Sequence, residues 1–226
     1  MNRFKLSICL RAAGTTAAAL ILLLAAPARA EDDVSINARL LMAARAADAG
    51  AIDRALRGGA AVNSRNRLGE TPLVIVLKNE HPELAPALLD AGADVNQPAI
   101  NGVTPLMAAA YAGNTDVVRA LLARGADVGA VDRVKKNAMT YAAGEGRTEV
   151  VRALLAAGVD ADAVYHNDLT ALMWAAGYGR TETVRLLLAS GARADRRDNR
   201  GKTALDIARE QHQDETAAVL QAVVKP

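Results

Sequence analysis

The chain has 226 residues, 27 Lys+Arg against 25 Asp+Glu, one cysteine, and only 3% aromatic residues. So even a charge balance gives no general electrostatic case for binding nucleic acid or anionic lipid, and one cysteine excludes an internal disulfide framework. With 51% hydrophobic residues and so few aromatics, any core must be built mainly from Ala, Leu and Val.

Residues 1–30 have the layout of a secretory signal peptide. Arg3, Lys5 and Arg11 make a basic start, Leu20-Ile21-Leu22-Leu23-Leu24 centres an apolar run, and Ala28-Arg29-Ala30 offers an A-x-A cleavage site. The apolar run is too short, and too closely followed by Glu31-Asp32-Asp33, for a comfortable membrane span. Cys9 lies inside this segment without the small residue before it that a lipoprotein anchor needs. Four of the 27 basic residues and no acid lie in 1–30, so the mature chain would carry 23 basic against 25 acidic residues and no cysteine. The expected compartment is a periplasm.

The remainder, 31–226, is expected to be one repeat domain. Leu40, Leu73, Leu106, Met139, Leu172 and Leu205 recur at an interval of 33 without insertion. An alanine or valine follows three positions later in each copy, and Gly59, Gly92, Gly125, Gly158 and Gly191 keep the same interval. Such a period marks a stacked solenoid, in which each unit buries its face against its neighbours. The units run about 35–66, 67–99, 100–132, 133–165, 166–198 and 199–226.

In the first unit Ala38-Arg39-Leu40 stands where later units begin with Thr-Pro-Leu, and Arg39, Arg45, Asp48 and Asp53 suit the polar outer face of an end cap. The second unit starts at Thr71-Pro72-Leu73; its second helix begins near Pro82, and Pro86 is expected to kink or delay it. The third unit, with Thr104-Pro105-Leu106 and Val117-Val118-Arg119-Ala120-Leu121-Leu122, is the most regular. The fourth has Lys135-Lys136-Asn137-Ala138 in place of Gly-x-Thr-Pro. Its turn glycine and helix cap are therefore expected to be missing. The fifth carries Thr170-Ala171-Leu172 and the only tryptophan, Trp174, expected in the core. The sixth starts at Thr203-Ala204-Leu205 and closes with a short amphipathic segment.

These features together resemble the ankyrin repeat: Thr-Pro-Leu or its variants, an alanine-rich stretch, a turn, a Val-Val-Arg-Ala-Leu-Leu stretch, then Gly-Ala-Asp-Val-Asn. The resemblance implies an all-α solenoid of stacked helix-turn-helix units with protruding loops. Each signature residue has a physical reason. Threonine caps the first helix, and proline occupies the next position, where an N–H would be unpaired anyway. Glycine ends the second helix in a left-handed conformation that other residues adopt at a cost.

Chemistry-bearing clusters are sparse. Gly144-Glu145-Gly146 and Gly177-Tyr178-Gly179 do not complete a phosphate-binding loop and are expected in the turns between helices. Asp160, Asp162, His166 and Asp168 are the densest set of metal-ligand types, but their spacing matches neither a calcium loop nor a zinc motif. No nucleophile–base motif is visible. The sequence therefore points to no enzyme activity, no cofactor and no metal.

The resemblance further implies that a protein partner meets the concave side, made by the protruding loops and the ends of the first helices. On this chain the matching positions are Arg67, Leu68 and Glu70, then Ile100, Asn101 and Tyr111, then Arg133 and Lys136, His166, Leu169 and Tyr178, and Arg200 and Lys202. Tyr111 and Tyr178 either anchor a partner or cover the ends of neighbouring helices; the sequence leaves both open. The expected protein is a monomeric, exported scaffold for a protein partner, free of nucleic acid and, once the signal is cleaved, of membrane. An enzyme with a site grafted into the groove and a signal-anchored membrane protein are the rival readings.

Overall fold

The computed structural model describes residues 35–224, so the segment expected to be a signal peptide, with its cleavage site, lies outside the described residues. Among them the helices are α1 (Ile36–Arg45), α2 (Ala49–Arg57), α3 (Pro72–Lys78), α4 (Ala85–Asp90), α5 (Pro105–Ala112) and α6 (Thr115–Ala123). There follow α7 (Ala138–Glu145), α8 (Thr148–Ala156), α9 (Ala171–Gly177), α10 (Thr181–Ala189), α11 (Ala204–Glu210) and α12 (Asp214–Val224). Short 3-10 turns lie at Pro82–Leu84 and His166–Asp168, and the described residues hold no strand beyond an isolated bridge between Val164 and Thr170.

The odd-numbered helices form a continuous row, α1 on α3 through to α9 on α11, and each also packs on the even-numbered helix that follows it. Alanine makes this row possible. Ala109, Ala110, Ala142, Ala143, Ala175 and Ala176 are all fully buried, so neighbouring backbones approach with only a methyl group between them. The 33-residue ruler, Leu40 to Leu205, is buried throughout and runs through one core. The all-α solenoid is thus present as expected.

The caps explain where each first helix starts. Thr71, Thr104 and Thr170 each accept the N–H three residues on at 3.3 Å, and Thr203 forms a reciprocal capping box with Asp206. The expectation that α7 lacks a cap is wrong. Asn137 accepts the Thr140 N–H and Thr140 Oγ1 accepts the Asn137 N–H, both at 2.9 Å, which is a capping box built from other residues. The missing turn glycine has its expected consequence: Lys135 is held at φ +64°, where Gly102 and Gly201 take +85° and +78° in their loops.

Pro86 delays its helix as expected. A 3-10 turn opens the segment and α4 begins only at Ala85, with Pro86 in its first turn; it spans 6 residues where α6, α8 and α10 span 9. Gly144 and Gly177 correct another expectation. They are the last-turn residues of α7 and α9 instead of turn residues. A Cβ on Gly177 would meet Ile207 Cγ2 at 3.2 Å, so the glycine serves the close approach of α9 to α11.

Candidate partner-binding face

One repeat phase on the odd-numbered helices carries Ile75, Ala108, Tyr141, Trp174 and Ile207. The aliphatic members are buried, whereas Tyr141 and Trp174 are half-buried and turn their rings towards the face between the protruding loops and the helix ends. Tyr111 meets Tyr141 edge-on, with ring centroids 5.9 Å apart and planes at 86°. Trp174 stacks on Tyr178 with centroids 6.1 Å apart and planes within 8°. Lys136 joins the two pairs: its Nζ lies 4.4 Å from the Trp174 centroid and 5.4 Å from that of Tyr141. Three of the four tyrosines and the only tryptophan therefore form one strip across α5, α7 and α9.

Supporting groups hold the strip in place. The Tyr141 hydroxyl donates to Asp132 Oδ2 at 2.6 Å, while Asp132 Oδ1 accepts the N–H groups of Val134 and Lys136 at 2.9 Å each. Burial, then the hydrogen bond and charge of Asp132, push the Tyr141 hydroxyl well above the usual tyrosine range, so it remains a donor at any physiological pH. Gly144 lies against the outer ring, where a Cβ would make ordinary van der Waals contact with Tyr178 Cδ2 at 3.6 Å and with Trp174 at 3.8 Å. Beneath, Arg180 Nε donates to the Gly144 carbonyl at 2.8 Å and Arg147 Nε to the Tyr111 carbonyl at 3.0 Å, cations placed on the C-terminal ends of α7 and α5.

Two concavities flank the strip. A pocket of about 410 Å³ lies between α9 and α11, lined by Leu169, Met173, Trp174, Gly177, Tyr178, Arg200, Ile207, Gln211 and Gln213. A smaller one of about 210 Å³ is lined by residues of α3, α5 and α7 that include Leu77, Met107, Tyr111 and Tyr141.

The residues expected on this face divide into two groups. Tyr111 and Tyr178 are about half exposed, at 50% and 51%, and Leu68 and Ile100 are more than half exposed at the loop tips. Arg67, Asn101, Arg133 and His166 are also exposed. The loops are tied to one another, with the Ile100 N–H donating to the Leu68 carbonyl and the Arg133 N–H to the Asn101 carbonyl, each at 2.9 Å.

The second group makes contacts within the fold, and only the buried Glu70 departs from the expected exposure. Glu70 is buried, where it accepts from Asn66 and pairs with Lys78. Burial works to raise its carboxyl, but the hydrogen bonds from Lys78 and Asn66 outweigh that and hold it below the usual carboxylate range. Lys202 pairs with Glu210, while Leu169, partly buried against the core, and the exposed Arg200, bound to Asp198 at 2.7 Å, both line the larger pocket on this face. Trp174, expected in the core, lies partly open in the strip. Tyr141 was not foreseen on this face, although the signal existed: it lies one period of 33 before Trp174. Of the possible metal ligands, Asp162 accepts from Arg193 N–H at 3.1 Å and Arg196 Nε at 2.7 Å, making it a brace between loops. Among the described residues no group of three or more His, Cys, Asp or Glu side chains is placed to hold a metal ion.

The opposite, even-numbered helices carry a different surface. Arg119, Arg152 and Arg185 pair with Asp116, Glu149 and Glu182 one turn earlier, at 3.5, 3.3 and 3.7 Å, in exposed ion pairs of small energetic weight. Among the described residues no helix is long and apolar enough to cross a membrane.

Comparison with known proteins agrees with this architecture. The family profile described as ankyrin repeats (3 copies) matches residues 40–132 and 139–223. No curated protein matches the chain. Among solved structures, a crystal structure of the ankyrin repeat protein EF0377 is 31% identical, with a TM-score of 0.74, covering 83% of this chain and 98% of that one. With the profile spanning most of the sequence and the same stacked helices in a solved relative, the chain belongs to the ankyrin-repeat family.

Proposed function

We propose that this protein is an exported scaffold that binds a protein partner through the face carrying Tyr111, Tyr141, Lys136, Trp174 and Tyr178. Ankyrin repeats generally mediate protein–protein interaction, and the aromatic strip is the observation that carries the reading here. Tyrosine and tryptophan bring large contact area with little rotamer entropy to lose, and they are the residue types in which interface energy concentrates. A chain with only 3% aromatic residues has gathered most of its tyrosine and its tryptophan on one face outside the core.

In this reading the solenoid is a monomer of six 33-residue units. It is delivered to the periplasm by residues 1–30, which are removed after Ala30. The absence of cysteine from 31–226 suits an oxidising compartment, where stability must come from the repeat core alone. Intact-mass measurement on the exported protein tests delivery: a chain starting at Glu31 agrees, and a dominant species retaining Met1 refutes it. Partner binding is tested separately. Tyr111→Ala and Tyr178→Ala should weaken capture of the native partner by about tenfold or more each, while Arg119→Ala and Arg152→Ala leave it nearly unchanged. Loss from the outer arginines alone would place the interface on the even-numbered helices.

A further inference from the structure

We propose that the pocket between α9 and α11 receives a bulky apolar side chain of an extended acidic segment of the partner, with a neighbouring carboxylate of that segment held by Lys136. The inference rests on the protein-binding reading above and specifies the chemistry of the partner. Its basis is the juxtaposition of a pocket walled in part by Trp174 and Tyr178 with the Lys136 ammonium that lies over the Trp174 ring.

The acids and bases of the loops are sorted by depth. Asp132 and Asp198 are both 5% exposed. Their carboxylates hold the loop backbones: Asp132 takes the N–H groups of residues 134 and 136, and Asp198 those of 200 and 202, all at 2.9 Å. Glu70 is buried against Lys78. The cations of the same loops, Arg67, Arg133 and Lys135, point outward and form no ion pair among the described residues. The near-neutral sequence therefore folds into a loop rim with exposed positive charge. Glu80, beside Tyr111 and Tyr141, and Glu145 and Asp168 are acids outside these pairs.

Lys136 is the most specific member. Its ammonium is fixed over Trp174 and Tyr141 and has no acidic partner among the described residues. A ring beneath an ammonium uses its electrostatic attraction without using its N–H donors, which stay available to a carboxylate from above. The adjoining pocket has walls of Trp174, Tyr178, Met173 and Ile207, and its polar lining, Gln211, Gln213 and Arg200, adds no unpaired acid. At about 410 Å³ it accommodates a leucine- to phenylalanine-sized side chain. An acidic segment meets the rim with complementary charge, whereas a basic one faces repulsion at Lys136, Arg133 and Lys135.

The test selects random dodecapeptides displayed on phage against the full chain and titrates the enriched peptides while reading the emission of Trp174, the only tryptophan. Enriched peptides should place Asp or Glu beside a large apolar residue. Their binding should weaken as salt rises, and about tenfold with Lys136→Gln or Tyr178→Ala. Lys136→Arg should restore most of the affinity, and melting curves of each variant exclude unfolding as the cause. Enrichment of neutral or basic peptides, failure to enrich any peptide, or acidic peptides insensitive to Lys136→Gln would overturn the proposal. Neutral peptides still blocked by Tyr178→Ala would end the charge argument alone and leave the protein-binding face standing.

Discussion

Replacing Gly129 by asparagine should stabilise the protein by completing a ladder of hydrogen bonds along the loops that follow the even-numbered helices. Asn63 Oδ1 accepts the Asp94 N–H at 2.8 Å and its amide donates to the Gly92 carbonyl at 3.4 Å. One unit on, Asn96 repeats both contacts with Asp127 at 2.8 Å and Gly125 at 3.0 Å. Asp162 accepts the Arg193 N–H at 3.1 Å. Gly129 holds the corresponding position between them and has no side chain to reach the Asp160 N–H. An asparagine there should add about 0.5–1.5 kcal/mol from the new bond. Removing glycine from the unfolded chain should add about 0.4–1 kcal/mol.

The backbone tolerates the change. Gly129 is not in the left-handed region, and a Cβ would meet only Asp127 Oδ1, at 3.3 Å. Asn96 already sits in the same kind of turn, its N–H bonded to Asp94 Oδ1 at 2.8 Å as that of Gly129 is to Asp127 Oδ1. For a domain of this size each kcal/mol raises Tm by roughly 2–4 °C. Thermal melts of Gly129→Ala and Gly129→Asn separate the two contributions, since alanine captures only the chain-entropy part. If the asparagine variant melts no higher than the alanine variant, the ladder contributes nothing and the reasoning fails.

Other changes follow from the same geometry. Lys135→Gly should stabilise by about 1 kcal/mol, because it removes a Cβ from a left-handed residue; an unchanged denaturant midpoint would show that the loop stores no strain. Asn137→Ala should destabilise by about 1 kcal/mol through loss of the capping box, measured the same way. Tyr141→Phe should lower stability by about 1 kcal/mol while leaving partner affinity near wild type, since only the hydroxyl contact to Asp132 is lost. The protein should also weaken in acid. For Asp198, burial raises the carboxyl but the Lys202 N–H and the Arg200 side chain outweigh it; for Asp206, the Thr203 N–H and hydroxyl lower it. Both are held below the ordinary carboxylate range, so their stabilisation is complete above about pH 4 and disappears as pH falls through the depressed folded values. Asp198→Asn should flatten that acid limb in a Tm-versus-pH series, and an unchanged slope would remove Asp198 from the account.

Much of the fold was legible because its determinants are local and periodic. The threonine caps, the glycines after the even-numbered helices and the buried apolar ruler recur at 33 residues, and each carries out the same task wherever it recurs. The misreadings fell where a different residue supplies the same physics or where depth decides. Asn137 caps α7 without threonine, because its side-chain carbonyl reaches the Thr140 N–H as a hydroxyl would. Glu70 belongs to an exposed loop by position yet points inward, where its carboxylate accepts from the Asn66 amide and pairs with Lys78. Trp174 resembled a core residue from its place on the helix. Tyr178 stacks on it and Lys136 of the preceding unit lies over its ring, and the three share the open face. Such three-body arrangements leave no trace in a single repeat read alone.

The central claim, that the aromatic strip is where a partner is held, is tested most directly by site-specific photo-crosslinking in the cells that make the protein. A photoreactive phenylalanine derivative is placed at Tyr178 on the strip or at Arg152 on the even-numbered helices. The account predicts a discrete crosslinked protein band from position 178, lost when Lys136→Gln is combined with Trp174→Ala, and no such band from 152. A band from 152 with none from 178 would contradict it.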